Sequence, residues 1–170
     1  MQAKNKLAAV AGLLVAGSLT AAVPKFEGMI LRGYKDPIGI VTACAGHTKT
    51  AILGRAYSLA ECETLLQEDL AEHAVGVLKC TPALYDKTGP LSGAISFAFN
   101  IGVHRYCNTT TARRFNAGDI KGGCKAMNEN DAGGEQWVYA QHPDGTMLRL
   151  PGLVTRRASE RKMCETEKWT

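Results

Sequence analysis

Three side chains near the start of the chain have the types and spacing to do chemistry together. They are Glu27, Asp36 and Thr42, in the stretch FEGMILRGYKDPIGIVTACAGHT, with eight residues between the first pair and five between the second. Cleaving a sugar-sugar bond needs one carboxyl held protonated, to release the leaving oxygen, and a second held ionised, to activate water or stand against positive charge. Glu27 and Asp36 could divide those roles. Thr42 adds a neutral hydroxyl that can hold a water without adding charge. Gly28, Gly33, Gly39, Gly46 and the step from Asp36 to Pro37 favour tight turns over continuous helix, so the three side chains can converge across a folded-back loop. Such turns and a helix-terminal Glu also occur where no catalysis does, so the motif needs support from the rest of the chain.

The elements that must position these residues can be read from periodicity. Residues 28 to 55 are rich in glycine, and short runs such as Ile38 to Ala45 predict small strands and turns. Beyond residue 57 the pattern is mostly helical. Ser58 with Glu61 makes a capping box, and Leu59, Leu65, Leu66, Leu70, Ala74 and Val77 come after it at helical spacing, predicting a helix over 59 to 78. His73 falls on that helix as a packing or surface residue. Leu91, Ala94, Ile95, Ala98 and Phe99 mark a second, strongly apolar helix. Shorter helices are expected near 109 to 116, 119 to 130 and 153 to 167, with Gly118 ending the first in a left-handed conformation. Residues 128 to 147 are polar and read as a surface excursion, with His142, Pro143, Asp144 and Gly145 as a turn. The fold class is α+β, mostly helical: a small β-subdomain joined to a larger helical lobe, with a polymer cleft expected between the lobes.

At the N-terminus, Lys4 and Lys6 precede LAAVAGLLVAGSLTAAV, residues 7 to 23, which carry no charge. Basic residues before an apolar run keep the N-terminus in the cytoplasm and send the downstream chain across the membrane. The run is at the short end of the roughly 17 to 25 residues that a spanning helix needs. Its Leu and Val residues contribute about −2 to −4 kcal/mol in total, and Gly12, Gly17, Ser18 and Thr20 work against them, so its hold on a bilayer is marginal. Thr20, Ala21 and Ala22 could also satisfy signal peptidase, which leaves cleavage, a permanent anchor and a releasable anchor as alternatives. Only Pro24, Lys25 and Phe26 separate the run from Glu27, and an extended chain spans at most about 3.3 to 3.6 Å per residue, so a tethered Glu27 would lie close to the membrane surface.

The stretch that holds Glu27, Asp36 and Thr42 resembles the catalytic region of the bacteriophage lysozyme family, glycoside hydrolase family 24. The likeness continues through SFAFNIG (96 to 102), RYCNTTTARRFNAGDIKGGC (105 to 124) and PGLVTRRASERKMC (151 to 164). It implies a muramidase cutting the β-1,4 link between N-acetylmuramic acid and N-acetylglucosamine in peptidoglycan, usually to lyse the host. It implies catalytic roles for Glu27, Asp36 and Thr42, and it favours an inverting course with Asp36 and Thr42 positioning the water. An inverting pair stands about 6.5 to 9.5 Å apart and a retaining pair about 5 to 5.5 Å, which spacing along a chain does not fix. The family pairs an arginine with its catalytic glutamate, which makes Arg156 or Arg157 an orienting candidate beside the alternative of an ordinary surface arginine. The N-terminal run resembles the Ala- and Gly-rich signal-anchor-release segment of some phage endolysins. The expected organisation is therefore a signal-anchor-release segment over 1-23 and a lysozyme-like catalytic domain over 24-170.

With 170 residues the chain has room for one domain with a proper core, and 45% hydrophobic with 21% charged residues is an ordinary globular composition. The net charge of +4 falls to +2 once Lys4 and Lys6 are left out, too little to argue for nucleic acid. The clusters Arg113, Arg114 and Arg156, Arg157, Arg161, Lys162 read as solvated helix faces or as a surface drawn to an anionic wall. Cys44, Cys62, Cys80, Cys107, Cys124 and Cys164 form an even set behind an export signal, which predicts up to three disulfides of unassigned pairing. None lies before Cys44, so the anchor carries no thiol for disulfide exchange. Cys44 and His47 lack the further ligands of a zinc site, and neither metal nor cofactor is expected. As a nucleophile and base, the same two would instead make a cysteine-dependent amidase or peptidase; a non-catalytic, membrane-anchored wall-binding protein is the other alternative. The reading that best joins these features is a monomeric endolysin, held in the host inner membrane through residues 7 to 23 with its domain facing the periplasm, inactive until released into the periplasm.

Overall fold

The structure, a computed structural model, describes residues 3 to 36, 39 to 141 and 144 to 166. Two compact units divide at residues 74 and 75. The first opens with helices α1 (Ala3–Ala11) and α2 (Leu13–Glu27), which meet at Gly12, where φ is 89°. Every fourth residue of this stretch is buried: Leu7, Ala11, Val15, Leu19 and Val23. The side chains therefore form one apolar stripe. Leu13 and Leu14 face outward. The Ser18 and Thr20 hydroxyls donate back to the Leu14 and Ala16 carbonyls, which satisfies them within the helix.

Strands β1 (Ile30–Lys35) and β2 (Val41–Cys44) come next as an antiparallel pair, with Lys35 opposite Val41, Tyr34 opposite Thr42, and an irregularity before Ile30 meets Cys44. The chain then returns alongside β1, where the Gly33 N–H donates to the Arg55 carbonyl and the Tyr57 N–H to the Leu31 carbonyl. Helix α3 (Leu59–Cys80) starts at the expected capping box: the Glu61 N–H donates to the Ser58 hydroxyl and the Ser58 N–H to the Glu61 carboxylate. Ala43, Cys44, Tyr57 and Cys62 make a small core, closed by the Cys44–Cys62 disulfide.

In the second unit, α4 (Thr88–Ile101) is buried almost all round, as its apolar sequence requires. It lies so close to α8 (Pro151–Cys164) that a Cβ on Gly93 would stand 2.9 Å from the Glu160 carbonyl oxygen. Between α4 and α8 come α5 (Val103–Cys107), α6 (Thr110–Asn116), α7 (Ile120–Lys125) and a hairpin of β3 (Tyr139–Gln141) with β4 (Met147–Arg149). Gly118 takes the expected left-handed conformation, φ 81°. The disulfides Cys80–Cys107 and Cys124–Cys164 lie in this unit and complete three pairs from six cysteines.

Several expectations need correction. The helix expected over 119 to 130 stops at Lys125, because Gly122 and Gly123 weaken it and Asn130 ties the next turn by accepting from the N–H groups of Ala132 and Gly134. The surface excursion is exposed over most of its length, yet Val138 is buried, Trp137 stands edge-on to the Phe97 ring, and the segment carries the β3-β4 hairpin; His142 and Pro143 of the expected turn lie outside the described residues. The last helix starts two residues early, because Pro151 suits the first turn. Helix α5 has no signal long enough to read.

Arg156 and Arg157 are buried, 4% and 0% exposed, so they are neither surface arginines nor part of a solvated basic face. Both pair with buried Glu160 at 3.0 Å, and the Ser96 hydroxyl donates to the same carboxylate at 2.9 Å. Arg157 also donates to Asn100 and lies over the Phe97 ring. Burial pushes the Glu160 carboxyl up from its ordinary range, while Arg157, Arg156 and Ser96 pull it down. Removing the carboxylate leaves two guanidiniums short of an anion inside the protein, and breaking such a buried set costs about 3 to 5 kcal/mol. Glu160→Ala should therefore lower the unfolding free energy by that much in urea titration, while Glu165→Ala on the exposed end of the same helix should change it by less than about 1 kcal/mol.

Candidate active site

Glu27 is the last residue of α2, and the chain turns at Gly28, φ 75°, whose N–H donates to the Pro24 carbonyl. Asp36 comes directly after β1. Its backbone N–H donates to the Ile40 carbonyl at 2.9 Å, and its carboxylate accepts from the Ile40 N–H at 2.8 Å. Thr42 sits on β2, 5% exposed, and its hydroxyl donates to the Ile40 carbonyl at 3.2 Å. Ile40 thus ties Asp36 and Thr42 into one hairpin end, as the Asp-Pro step and the glycines suggest.

The end of β2 leads to Glu27. Ala43 and His47 exchange both backbone hydrogen bonds at 2.9 Å, which closes Cys44, Ala45 and Gly46 into a tight turn. Gly46, φ 85°, faces the acid: a Cβ placed on it would lie 3.8 Å from the Glu27 Oε2. Glu27 therefore stands over the turn beyond Thr42, with one carboxylate on the hairpin and another at the helix end.

In the sequence His47 suggests itself only as a partner for Cys44, and its real partners are elsewhere. Its Nδ1 lies 2.7 Å from the Asp69 carboxylate on α3, and its Nε2 lies 2.8 Å from the Thr50 hydroxyl and 3.1 Å from the Thr50 N–H. A backbone N–H only donates, so Nε2 is an acceptor and Nδ1 is the nitrogen that donates to Asp69. His47 is 5% exposed, which makes this a fixed anchor for the turn. Cys62 and Asp69 are seven residues, or two turns, apart on one face of α3, so the helix that holds Cys44 also holds His47, a link that follows only once the Cys44–Cys62 pairing is known. The Cys44–Cys62 disulfide leaves Cys44 no thiol, so the cysteine amidase or peptidase has no nucleophile there.

Comparison with known proteins identifies the family. Residues 24 to 160 match the phage lysozyme family. The chain is 36% identical over 160 residues to the SAR-endolysin of Enterobacteria phage PA-2, covering 92% of this chain and 86% of that one. It is 35% identical over 159 residues to the SAR-endolysin of Enterobacteria phage P21, with the same coverage. Among solved structures it resembles the muramidase domain of SpmX from Asticaccaulis excentricus, with TM-score 0.75 and 27% identity over 87% of this chain and 95% of that one. The family match and the likeness to a solved muramidase domain make this a lysozyme-type glycoside hydrolase. The chain belongs to the phage lysozyme family, an endolysin-type muramidase whose substrate is peptidoglycan.

The anchor predicts its own cost. Asp69→Ala leaves the buried His47 Nδ1 without its acceptor, and an unsatisfied buried group costs about 1 to 3 kcal/mol. Urea denaturation should register that loss, with Glu68→Ala, one residue away and paired with exposed Lys6, as the near-neutral control.

Proposed function

We propose that Glu27 is the general acid that protonates the leaving oxygen of the β-1,4 bond between N-acetylmuramic acid and N-acetylglucosamine. Asp36 and Thr42 present the attacking water to the sugar carbon, which gives inversion. The observation that carries this reading is the tie between Asp36 and Thr42 through Ile40 on one hairpin end, with Glu27 over the adjoining turn. A short carboxylate beside a neutral hydroxyl suits a held water, and a separate carboxyl at a helix end suits a proton donor. An arginine of α8, Arg156 or Arg157, as the partner that orients Glu27 belongs to the same proposal and is supported by the resemblance alone.

The chain further acts in two states. Residues 1 to 23 first hold it in the host inner membrane, with residues 24 to 170 facing the periplasm as the catalytic domain, and it then leaves the lipid intact. The curated relatives are named SAR-endolysins, which supports such a cycle. No helix among the described residues is long and apolar enough to cross a membrane. On release the segment takes the form of α1 and α2. Lipid and the folded unit both tolerate its polar residues, because Ser18 and Thr20 are satisfied by their own helix.

Reducing-end release from purified peptidoglycan tests the chemistry. Glu27→Gln should lower the rate by about 10² to 10⁴-fold, the usual worth of a positioned general acid, with circular dichroism unchanged. Retention of full activity by the folded variant would remove Glu27 from the mechanism.

A further inference from the structure

Cys44 is one of two described non-glycine residues with positive φ, at 58°. Left-handed backbone is unfavourable for any residue with a Cβ, and where it persists the surroundings must impose it. Here they are visible. The Cys44 side chain is bonded to Cys62 in the first turn of α3, and two turns further along the same helix Asp69 holds His47. These two fixings bracket Cys44, Ala45 and Gly46, the turn closed by the paired bonds of Ala43 and His47. Cys44 lies two residues after Thr42, and Gly46 faces Glu27. The turn is thus gripped from one helix face at both ends, and it joins two of the three residues assigned to catalysis.

We propose that Cys44, through its disulfide to Cys62, is a positioning residue for the hydrolytic reaction: the bond holds Cys44 left-handed so that Thr42 and the Gly46 backbone meet Glu27 in working register. The inference rests on the muramidase reading above. It makes the disulfide more than a staple, since what the reaction needs is the backbone conformation at residue 44, and a glycine adopts that conformation without any cross-link.

The test separates conformation from cross-linking. Cys62→Ala, the pair Cys44→Ala/Cys62→Ala and the pair Cys44→Gly/Cys62→Ala all lack the bond, and only the last restores easy access to positive φ. Steady-state hydrolysis of soluble peptidoglycan fragments, at a temperature where circular dichroism shows each protein folded, should give a kcat at least fivefold below wild type for Cys62→Ala and for the alanine pair, with KM within twofold. The glycine pair should recover to within twofold of the wild-type kcat, although its melting temperature stays as low as that of the alanine pair. If the alanine pair fails to fold, Cys62→Ala against the glycine pair reads the same difference. Equal kcat in glycine and alanine forms, whether both normal or both lowered alongside stability, overturns the positioning role while a Glu27-dependent wild type leaves the muramidase reading standing. A folded wild type that releases no reducing ends overturns both.

Discussion

Helix α2 carries both most of the apolar segment and the acid. Val15, Leu19 and Val23 are buried on α2, Leu7 continues the stripe on α1, and Glu27 closes α2. A side chain cannot lie in lipid and in this unit at once, so the location of the stripe decides whether Glu27 can stand over the turn at Gly46. Full burial of four Leu and Val side chains contributes roughly 6 to 12 kcal/mol, an upper figure before ordering is charged against it. The same run gains only about 2 to 4 kcal/mol from lipid on an insertion scale. In the proposed cycle, burial of this stripe is the contribution that draws the weakly inserted segment out of lipid and into the unit.

The hairpin is small, and two cross-links to α3 fix what a large sheet would otherwise fix by number of strands. Cys62 holds Cys44 and Asp69 holds His47, from one helix face. The turn between them is where β2 delivers Thr42 toward the helix end that bears Glu27. In the second unit a different arrangement serves the same purpose of rigidity: Glu160 gathers Arg156, Arg157 and Ser96 in a buried set that welds α8 to α4.

Much of this architecture is legible in the sequence. The capping box at Ser58 and Glu61 and the apolar spacing of α3 and α4 are local signals, and local signals survive folding. Glu27, Asp36 and Thr42 are legible as types at a spacing, and the glycines between them announce the hairpin. What escapes is set by tertiary contacts. The burial of Arg156 and Arg157 depends on Glu160 and Ser96, the latter about sixty residues away in sequence, and nothing in the run RRASERK distinguishes it from a solvated face. His47 looks like a partner for Cys44 because the two are three residues apart, whereas its acceptor sits on a helix whose periodicity signals packing alone. The β3-β4 hairpin has short, exposed strands with no apolar alternation to reveal them.

The most direct test of the account is wall hydrolysis by the same molecules before and after the segment leaves the lipid. Right-side-out inner-membrane vesicles carrying the full chain would be energised, given soluble peptidoglycan fragments outside, and sampled before and after the membrane potential is dissipated. Protein is expected in the membrane fraction with negligible reducing-end release at first, then in the supernatant with release rising in proportion to it. Equal hydrolysis before and after, by protein that stays embedded, would show that Glu27 works without α2 folding into the unit, and would contradict the account at its centre.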